Sequence, residues 1–370
     1  MTPNVCVVGA GAFVPSRRVS NARIARAIPG WPAERIEEKL GIRERRFLWD
    51  IDEATGRAVP PPEDDGHVYP ATNTDMCEVA LRKALTSSGV DAGELDALFV
   101  VTCTPDAPHF NHDAMQLHHR LGLREDAFAL VVDDGCGGTT YVLDLVKKMM
   151  DGGRFRTVAV VASAFTSPLV NREVYLDELP PGPGRSKTLQ GYLSMYVFGD
   201  GAGAVVLQAK QDAPAGAGIL ASFSGNAHGD LVIRKGGGLL KLPYQPGRSR
   251  PADMAFVVDG FRVARSYPEY MQKCLDTVLS PRPELKGEVK RYYFHQPNKR
   301  VMDAFVSRAG LSPEAVACNV DLYGNTSAAG MLILLAEDLE AGRVRLGAGD
   351  IVLVAAVGAN IHYGAQLIRL

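Results

Sequence analysis

Two stretches of this chain follow one plan: RLGLREDAFALVVDDGCGG at residues 120–138 and RAGLSPEAVACNVDLYGNT at residues 308–326. Each begins at Arg-X-Gly-Leu, passes through a polar turn and an apolar run, and ends in a segment that contains glycine. The spacing agrees, because Gly122 precedes Cys136 by 14 positions and Gly310 precedes Asn325 by 15. We therefore predict two similar halves, with a thiol in one and an amide at the matching position of the other.

Size and composition are those of an ordinary globular protein. The 370 residues suffice for one large double domain, and the repeat predicts its division into residues 1–196 and 197–370. The net charge of -2 predicts no general attraction to nucleic acid or membranes. The apolar run 351–359 is too short to span a bilayer and the amino terminus lacks a signal pattern, so we expect a cytoplasmic protein.

Neither metal nor bound cofactor is predicted. The six cysteines lack the spacing of a zinc site or a dense disulfide framework. Four histidines lie between residues 109 and 119, but their spacing matches no recognisable ligand set. Glycine patterns at 9–11 and 199–204 mimic dinucleotide fingerprints without the strand-to-helix context that a nicotinamide or flavin site needs.

Short apolar runs alternate with helical patterns, which indicates an α/β fold. Predicted strands lie at 95–102, 128–133, 157–162, 291–295 and 350–357. Helical spacing follows Cys136, and the segment 328–335 is apolar nearly all round, so we expect two buried helices that face a common region. Residues 165–196, rich in proline, predict a long loop between the halves.

The setting of Cys136 predicts a nucleophile rather than an inert buried thiol. Its flanking glycines allow a tight turn from strand to helix, and a helix amino terminus stabilises a thiolate. His295 follows an apolar strand and enters a loop, where a lone histidine would be structural. Together with Cys136 and Asn325 it predicts acyl chemistry, because a thiol nucleophile needs a neighbouring base or hydrogen-bond donor.

Five motifs, in this order along the chain, resemble the β-ketoacyl-acyl-carrier-protein synthase III group of the thiolase fold. They are GIRER at 41–45, the glycine-flanked Cys136, FGDGAGA at 198–204, HQPN at 295–298 and YGNTSA at 323–328. The resemblance implies a five-layered α-β-α-β-α arrangement of two halves, usually a homodimer. It also implies that thioesters of coenzyme A or acyl carrier protein are the substrates, with no other cofactor.

The resemblance assigns the catalytic roles to Cys136, His295 and Asn325. Cys136 would take the acyl group, while His295 and Asn325 would stabilise the enolate formed when a malonyl-type unit loses carbon dioxide. The enolate carbon would then attack the acyl group on Cys136. Backbone N–H groups of Cys136 and of Asn360, in the loop 358–360, would form the oxyanion hole.

Further residues are implied in substrate binding. Phe110 resembles a phenylalanine that shapes the partner subunit's acyl pocket; the alternative is an ordinary interface residue. Lys39 and Arg43 are implied to contact the substrate. Arg300 is implied in docking an acidic carrier protein, and the alternative is ordinary solvated surface charge.

Three departures from the family pattern predict a specialised relative in polyketide or other natural-product biosynthesis. Arg35 replaces the tryptophan that stacks on coenzyme A, Asn360 stands where glycine is common, and the loop 165–196 is long. Two other functions remain open. One is acyl transfer from Cys136 to an alcohol or amine with His295 as the base, and the other is a non-catalytic partner subunit.

Overall fold

The computed structural model describes residues 3–28, 31–62, 69–107, 110–171, 194–214, 216–234 and 256–370. The described strands are β1 Asn4–Phe13, β2 Arg18–Ser20, β3 Glu44–Arg46, β4 Asp50–Ile51, β5 Ala58–Val59, β6 Ala97–Val101, β7 Phe128–Val132, β8 Thr157–Ala164, β9 Gly201–Lys210, β10 Gly218–Asn226, β11 Val232–Arg234, β12 Phe256–Val258, β13 Val289–Phe294, β14 Ile351–Val357 and β15 His362–Arg369. The described α-helices are α1 Asn21–Ala27, α2 Ala33–Leu40, α3 Asn73–Ser88, α4 Asp113–Arg120, α5 Gly138–Asp151, α6 Gly260–Leu279, α7 Lys299–Arg308, α8 Val320–Tyr323 and α9 Gly330–Glu340.

Two sheets repeat one pairing pattern. The described strands of the first sheet run in the order β1-β9-β8-β6-β7, and those of the second in the order β10-β15-β14-β13. In both sheets the first two pairings are antiparallel and the next is parallel. A parallel bridge from Tyr292 to Val316 extends the second sheet at the place that β7 takes in the first. The predicted duplication is confirmed.

The boundary between the halves lies later than the sequence predicted. Strand β9 lies between β1 and β8, so residues 201–210 complete the first sheet, and β10 begins the second. The predicted division into 1–196 and 197–370 is therefore wrong, because the first sheet draws its second strand from beyond residue 197. Of the predicted loop 165–196, residues 172–193 lie outside the described part of the chain.

The layers follow from which faces are apolar. Helices α5 and α9 contribute to a core between the sheets that also holds side chains of β6, β8 and β14. Nearly every residue of α9 is buried, as expected of a helix that is apolar all round. Helices α3 and α4 cover the outer face of the first sheet, and α6 and α7 cover that of the second. The five-layered α-β-α-β-α arrangement is confirmed.

This architecture carries both predicted reactive side chains on the carboxyl ends of strands. Strand β7 ends at Val132, shortly before Cys136, and β13 ends at Phe294, directly before His295. The glycine pattern 9–11 lies inside β1, where a Cβ on Gly11 would stand 2.4 Å from the carbonyl oxygen of Ala80 in α3. These glycines serve helix packing. Within the described ranges, the helices are too short or too polar to cross a bilayer.

Candidate active site

Cys136 lies in a 3₁₀ turn, Gly135–Gly137, between β7 and α5. Gly135 has a φ of 53°, a left-handed conformation that glycine adopts without steric cost. At Gly137 a Cβ would stand 2.9 Å from the carbonyl oxygen of His362, so a side chain would not fit. The predicted turn from strand to helix is confirmed, and its glycines allow the second half to pack closely beside the thiol.

Ser327 connects the three predicted catalytic residues. Its hydroxyl lies 3.4 Å from Sγ of Cys136. Its backbone N–H donates to Oδ1 of Asn325 at 2.8 Å, and its carbonyl oxygen accepts from Nδ1 of His295 at 3.2 Å. All four residues are buried. The structure thus gathers Cys136, His295 and Asn325 around one serine.

The backbone of Ser327 is left-handed, with a φ of 48°, which is unusual for a residue other than glycine. The next residue helps to hold it, because the hydroxyl of Thr139 in α5 donates to the carbonyl oxygen of Ala328 at 2.8 Å. This contact joins the first turn of α5 to the segment after Asn325. Sequence reasoning missed Ser327, although it lies inside the YGNTSA motif.

The loop that carries Asn325 is fixed by the FGDGAGA motif. The backbone of Asn325 donates to Val197 at 3.1 Å and accepts from Gly199 at 3.0 Å. A Cβ on Gly199 would stand 1.8 Å from the carbonyl oxygen of Tyr323, so only glycine fits there. Asp200, fully buried, accepts hydrogen bonds from Leu48, Thr166 and Ser167. The motif therefore has a positioning role for the amide of Asn325.

His295 is held in a neutral form with a defined tautomer. Its backbone donates to Ala355 at 2.9 Å, and the Tyr267 hydroxyl donates to its carbonyl oxygen. Burial lowers the pKa of His295 to about 4, against the smaller effect of its hydrogen bond to Ser327. Because a carbonyl oxygen only accepts, Nδ1 carries the proton and Nε2 presents a lone pair.

The Cys136 thiol is neutral in the resting enzyme. Burial raises its pKa to about 11, although the hydrogen bond from Ser327 opposes this rise. Cys136 and His295 are therefore both uncharged in the resting enzyme. Stabilisation of a Cys136 thiolate by the helix amino terminus during the reaction stays a prediction.

A cavity of about 240 Å³ opens onto Cys136. Its described wall includes Cys103, Asp134, Cys136, Ser327, Asn360 and His362. His295 and Asn325 are not part of this described wall and reach it through their contacts with Ser327. Asn360 reaches the cavity as predicted, and a Cβ on the neighbouring Gly358 would stand 2.4 Å from the backbone nitrogen of Gly137. The loop 358–360 thus packs on the turn of Cys136, while its role as an oxyanion hole stays a prediction.

Comparisons with known proteins agree with this geometry. Residues 132–227 match the family model for 3-oxoacyl-[acyl-carrier-protein] synthase III, and residues 285–370 match the model for its C-terminal part. The β-ketoacyl-[acyl-carrier-protein] synthases III of Rhodospirillum centenum and Acidiphilium cryptum are each 29% identical to this chain, with 98% of both chains covered. Both halves of the chain thus resemble the 3-oxoacyl-[acyl-carrier-protein] synthase III family.

Solved structures share the synthase III fold over the whole chain. The synthase III of Aquifex aeolicus has a TM-score of 0.72 at 25% identity, covering 99% of this chain and 100% of its own. OleA of Xanthomonas campestris has a TM-score of 0.79 at 18% identity, covering 100% of this chain and 99% of its own. At that identity the likeness to OleA concerns the fold alone.

Three of the residues predicted to bind substrate gather at one surface of the synthase III fold, where α2 meets α7. Arg300 donates to the carbonyl oxygen of Glu38 at 3.0 Å, and Lys39 lies 3.5 Å from the carboxylate of Glu38. Arg43 is paired with Asp321 at 2.7 Å. Lys39 and Arg43 keep more than half of their side-chain surface exposed. Their role in substrate binding stays a prediction.

Phe110 lies apart from this surface and outside the described wall of the cavity. Its side chain is 94% exposed and its φ is 55°. Its role at the partner subunit's acyl pocket stays a prediction. Arg35, at the position of the family's tryptophan, lies over the Trp31 ring of its own chain at 5.9 Å.

Sequence reasoning also missed a close contact between Asp134 and His362 on the cavity wall. The two residues are far apart in the chain, and no local pattern links them. Among the described residues no group of three His, Cys, Asp or Glu side chains could hold a metal ion. His109 of the histidine cluster lies outside the described residues.

Proposed function

We propose that this chain forms an acyl thioester on Cys136 and extends it by Claisen condensation with a malonyl-type thioester on an acyl carrier protein. The observation that carries the proposal is the arrangement around Ser327. A buried thiol, a neutral imidazole and a primary amide from three distant segments meet at one residue. The family, whose curated members are acyl-carrier-protein synthases, supplies the substrate class.

In the loading step the thiol of Cys136 must lose its proton as the sulfur attacks the donor thioester. Nε2 of His295 presents the lone pair that accepts it. A bond forms between Sγ and the acyl carbon, and the bond from that carbon to the donor sulfur breaks. The proton passes from His295 to the departing thiol, so the histidine returns to its neutral form.

In the condensation step the malonyl-type carboxylate leaves as carbon dioxide and an enolate forms. Oδ1 of Asn325 is occupied by the N–H of Ser327, which leaves Nδ2 as the donor for the enolate oxygen. Before the malonyl-type carboxylate leaves, its negative charge favours the uptake of one proton from solvent by His295. The protonated ring then donates from Nε2 to the enolate oxygen. The enolate carbon attacks the acyl carbon, its bond to Sγ breaks, and the thiolate of Cys136 takes the proton from His295.

Acyl loading followed by carbon dioxide release tests this function. We expect short acyl thioesters of coenzyme A or carrier protein to add their acyl mass to Cys136, and a carboxyl-labelled malonyl thioester then to release labelled carbon dioxide. Cys136→Ala removes both signals. Cys318→Ala is the matched control, because Cys318 is an exposed cysteine and should leave both unchanged. Acylation that persists in Cys136→Ala, or acyl enzyme that releases no label, contradicts the proposal.

Loading without carbon dioxide release would instead support acyl transfer to an alcohol or amine. The specialised role in natural-product biosynthesis, the absence of a further cofactor and the cytoplasmic location stay predictions.

For the carrier, we propose docking at the surface formed by Lys39, Arg43 and Arg300, where cationic side chains face solvent and would attract an acidic partner.

A homodimer is part of the proposal. Strand β7 is the last described strand of the first sheet, and its apolar side chains Phe128 and Leu130 are 40% and 37% exposed. An edge strand with exposed apolar residues offers a pairing surface to a second copy of the same chain. Phe110, nearly fully exposed, supplies a further apolar contact.

Leu130→Asp is expected to convert the dimer to a monomer, because it places a charge on the apolar edge of β7. The measurement is mass by sedimentation or light scattering, against the 39.8 kDa of one chain. Leu322→Asp is the matched control, since Leu322 is equally exposed, at 37%, but lies in α8. A wild-type protein that sediments as a monomer refutes the dimer.

A further inference from the structure

The contact between Asp134 and His362 lies directly beside the nucleophile. Asp134 comes two positions before Cys136, and both Asp134 and His362 belong to the wall of the cavity that opens onto the thiol. Nδ1 of His362 contacts Oδ1 of Asp134. A Cβ on Gly137 would stand only 3.1 Å from Cβ of His362, so the histidine packs against the residue that follows Cys136.

The pair fixes which nitrogen of His362 faces outward. A carboxylate only accepts hydrogen bonds, so Nδ1 carries the proton and Nε2 carries the lone pair. Nδ1 is buried and, apart from its close contact with Asp134, makes no hydrogen bond to the described residues, while 22% of the side chain is exposed. The ring of Tyr141 packs on the imidazole at 5.4 Å. An imidazole oriented by a carboxylate, with a lone pair on Nε2, is the arrangement of a general base.

The carboxylate suits this positioning role. Burial raises the pKa of Asp134 to about 6, and Asp133 adds to the rise, while His362 opposes it. Asp134 is therefore mostly ionised at neutral pH and loses its charge as the pH falls through about 6. Its second oxygen, Oδ2, is buried and finds no hydrogen-bond partner among the described residues. The contact with His362 is thus its main polar interaction.

The condensation reaction does not need His362 as a base. A malonyl-type unit forms its nucleophile by losing carbon dioxide, so it brings no proton that must be removed, and His295 already serves Cys136. A hydroxyl or amine differs, because it must lose a proton as it attacks an acyl carbon. The cavity sits between the two groups that such a reaction needs, the acyl group on Cys136 and the lone pair of His362.

We infer that His362, positioned by Asp134, is a second catalytic base that lets the acyl group on Cys136 pass to a small hydroxyl- or amine-bearing acceptor. The inference rests on the proposed acyl enzyme and adds an activity to it. The acceptor oxygen or nitrogen bonds to the acyl carbon, its proton moves to Nε2 of His362, and the bond from the acyl carbon to Sγ breaks. The thiolate of Cys136 then takes that proton, which leaves an ester or amide and the free enzyme.

A chase experiment with ethanolamine, which carries both kinds of nucleophile, tests the inference. Acetyl enzyme is prepared, freed of donor and mixed with ethanolamine, and loss of the acetyl mass from the intact protein is followed. We expect at least tenfold faster loss than in buffer alone. Once acetylated, His362→Gln should lose about 10²-fold of the ethanolamine-dependent rate. Added imidazole should restore part of that rate in His362→Gly.

The pH profile separates a base from a structural residue. The ethanolamine-dependent rate should fall on the acid side, and Asp134→Asn should lower it and move that fall. The titratable groups described around His362 are Tyr141, which packs on its ring, and Cys103, Asp133, Asp134 and Cys136 on the cavity wall, so Tyr141→Phe is measured beside Asp134→Asn. His118→Gln, on α4, is the control that should change nothing.

Two results overturn the inference: acetyl enzyme that ethanolamine does not accelerate, and a His362→Gln variant that matches the wild type. Both results are measured on protein whose Cys136 already carries the acetyl group. A protein that never gains the acetyl mass fails at the earlier step and refutes the proposed function instead, so the two failures can be told apart.

Discussion

Asn325→Asp is expected to lower the rate of condensation by about 10²- to 10³-fold while acyl loading of Cys136 changes little. The aspartate keeps an oxygen to accept from the N–H of Ser327, which now binds Oδ1 at 2.8 Å. It replaces the donor Nδ2 with a second, negatively charged oxygen. The enolate then loses a hydrogen bond and gains a repulsive neighbour at the moment its charge forms.

Labelled carbon dioxide release and intact-protein mass measure the two steps separately. Asn298→Asp is the matched control, because Asn298 caps α7 by accepting from the N–H of Val301 at 2.9 Å, and aspartate caps a helix equally well. If Asn325→Asp condensed as fast as Asn298→Asp, the amide of Asn325 would have no role in the mechanism. Failure of both variants to load would indicate damage to the fold.

The rate at which iodoacetamide labels Cys136 is expected to rise about tenfold per pH unit from pH 7 to pH 10, without a plateau. Only the thiolate reacts, and burial raises the pKa of Cys136 to about 11, so the thiolate fraction keeps growing over this range. An ion pair with an imidazolium would behave differently, since its thiolate fraction would already be complete near neutral pH.

Mass spectrometry of the Cys136 peptide follows this labelling, and Cys136→Ala gives the background from the other cysteines. Ser327→Ala should slow labelling at every pH in the range, because the hydrogen bond from Ser327 favours the thiolate and its loss raises the pKa further. A rate that levels off between pH 6 and pH 8 would show that the resting enzyme holds an ion pair and would refute the neutral state described above.

The five layers and the catalytic set Cys136, His295 and Asn325 were implied by the resemblance of five motifs to a known family, while local patterns predicted the α/β elements and the two similar halves. Apolar runs mark the strands, the glycines around Cys136 mark a tight turn, and the internal repeat places Asn325 opposite Cys136. Ser327 was missed because its importance depends on a left-handed backbone and on contacts with three segments, none of which a local pattern records.

Long-range pairing explains the other differences. The contact of Asp134 with His362 depends on how closely Gly137 and Gly358 let two loops approach. The raised pKa of Cys136 could not be predicted either, because a helix terminus can be recognised in the sequence, whereas the depth at which the sulfur is buried cannot. The boundary after residue 196 was wrong because β9 reads as one more apolar run until its partners are known.

The position of β9 also has a consequence for synthesis on the ribosome. Among the described strands, β1 pairs only with β9, from Asn4 with Lys210 to Phe13 with Ala202. About two hundred residues must therefore be translated before the first strand meets its partner, at a cost in loop-closure entropy that slows such pairings. Until then its apolar face is open to chaperones and to other nascent chains. The first sheet can therefore be completed only after β9 has been translated, just before the strands of the second sheet leave the ribosome.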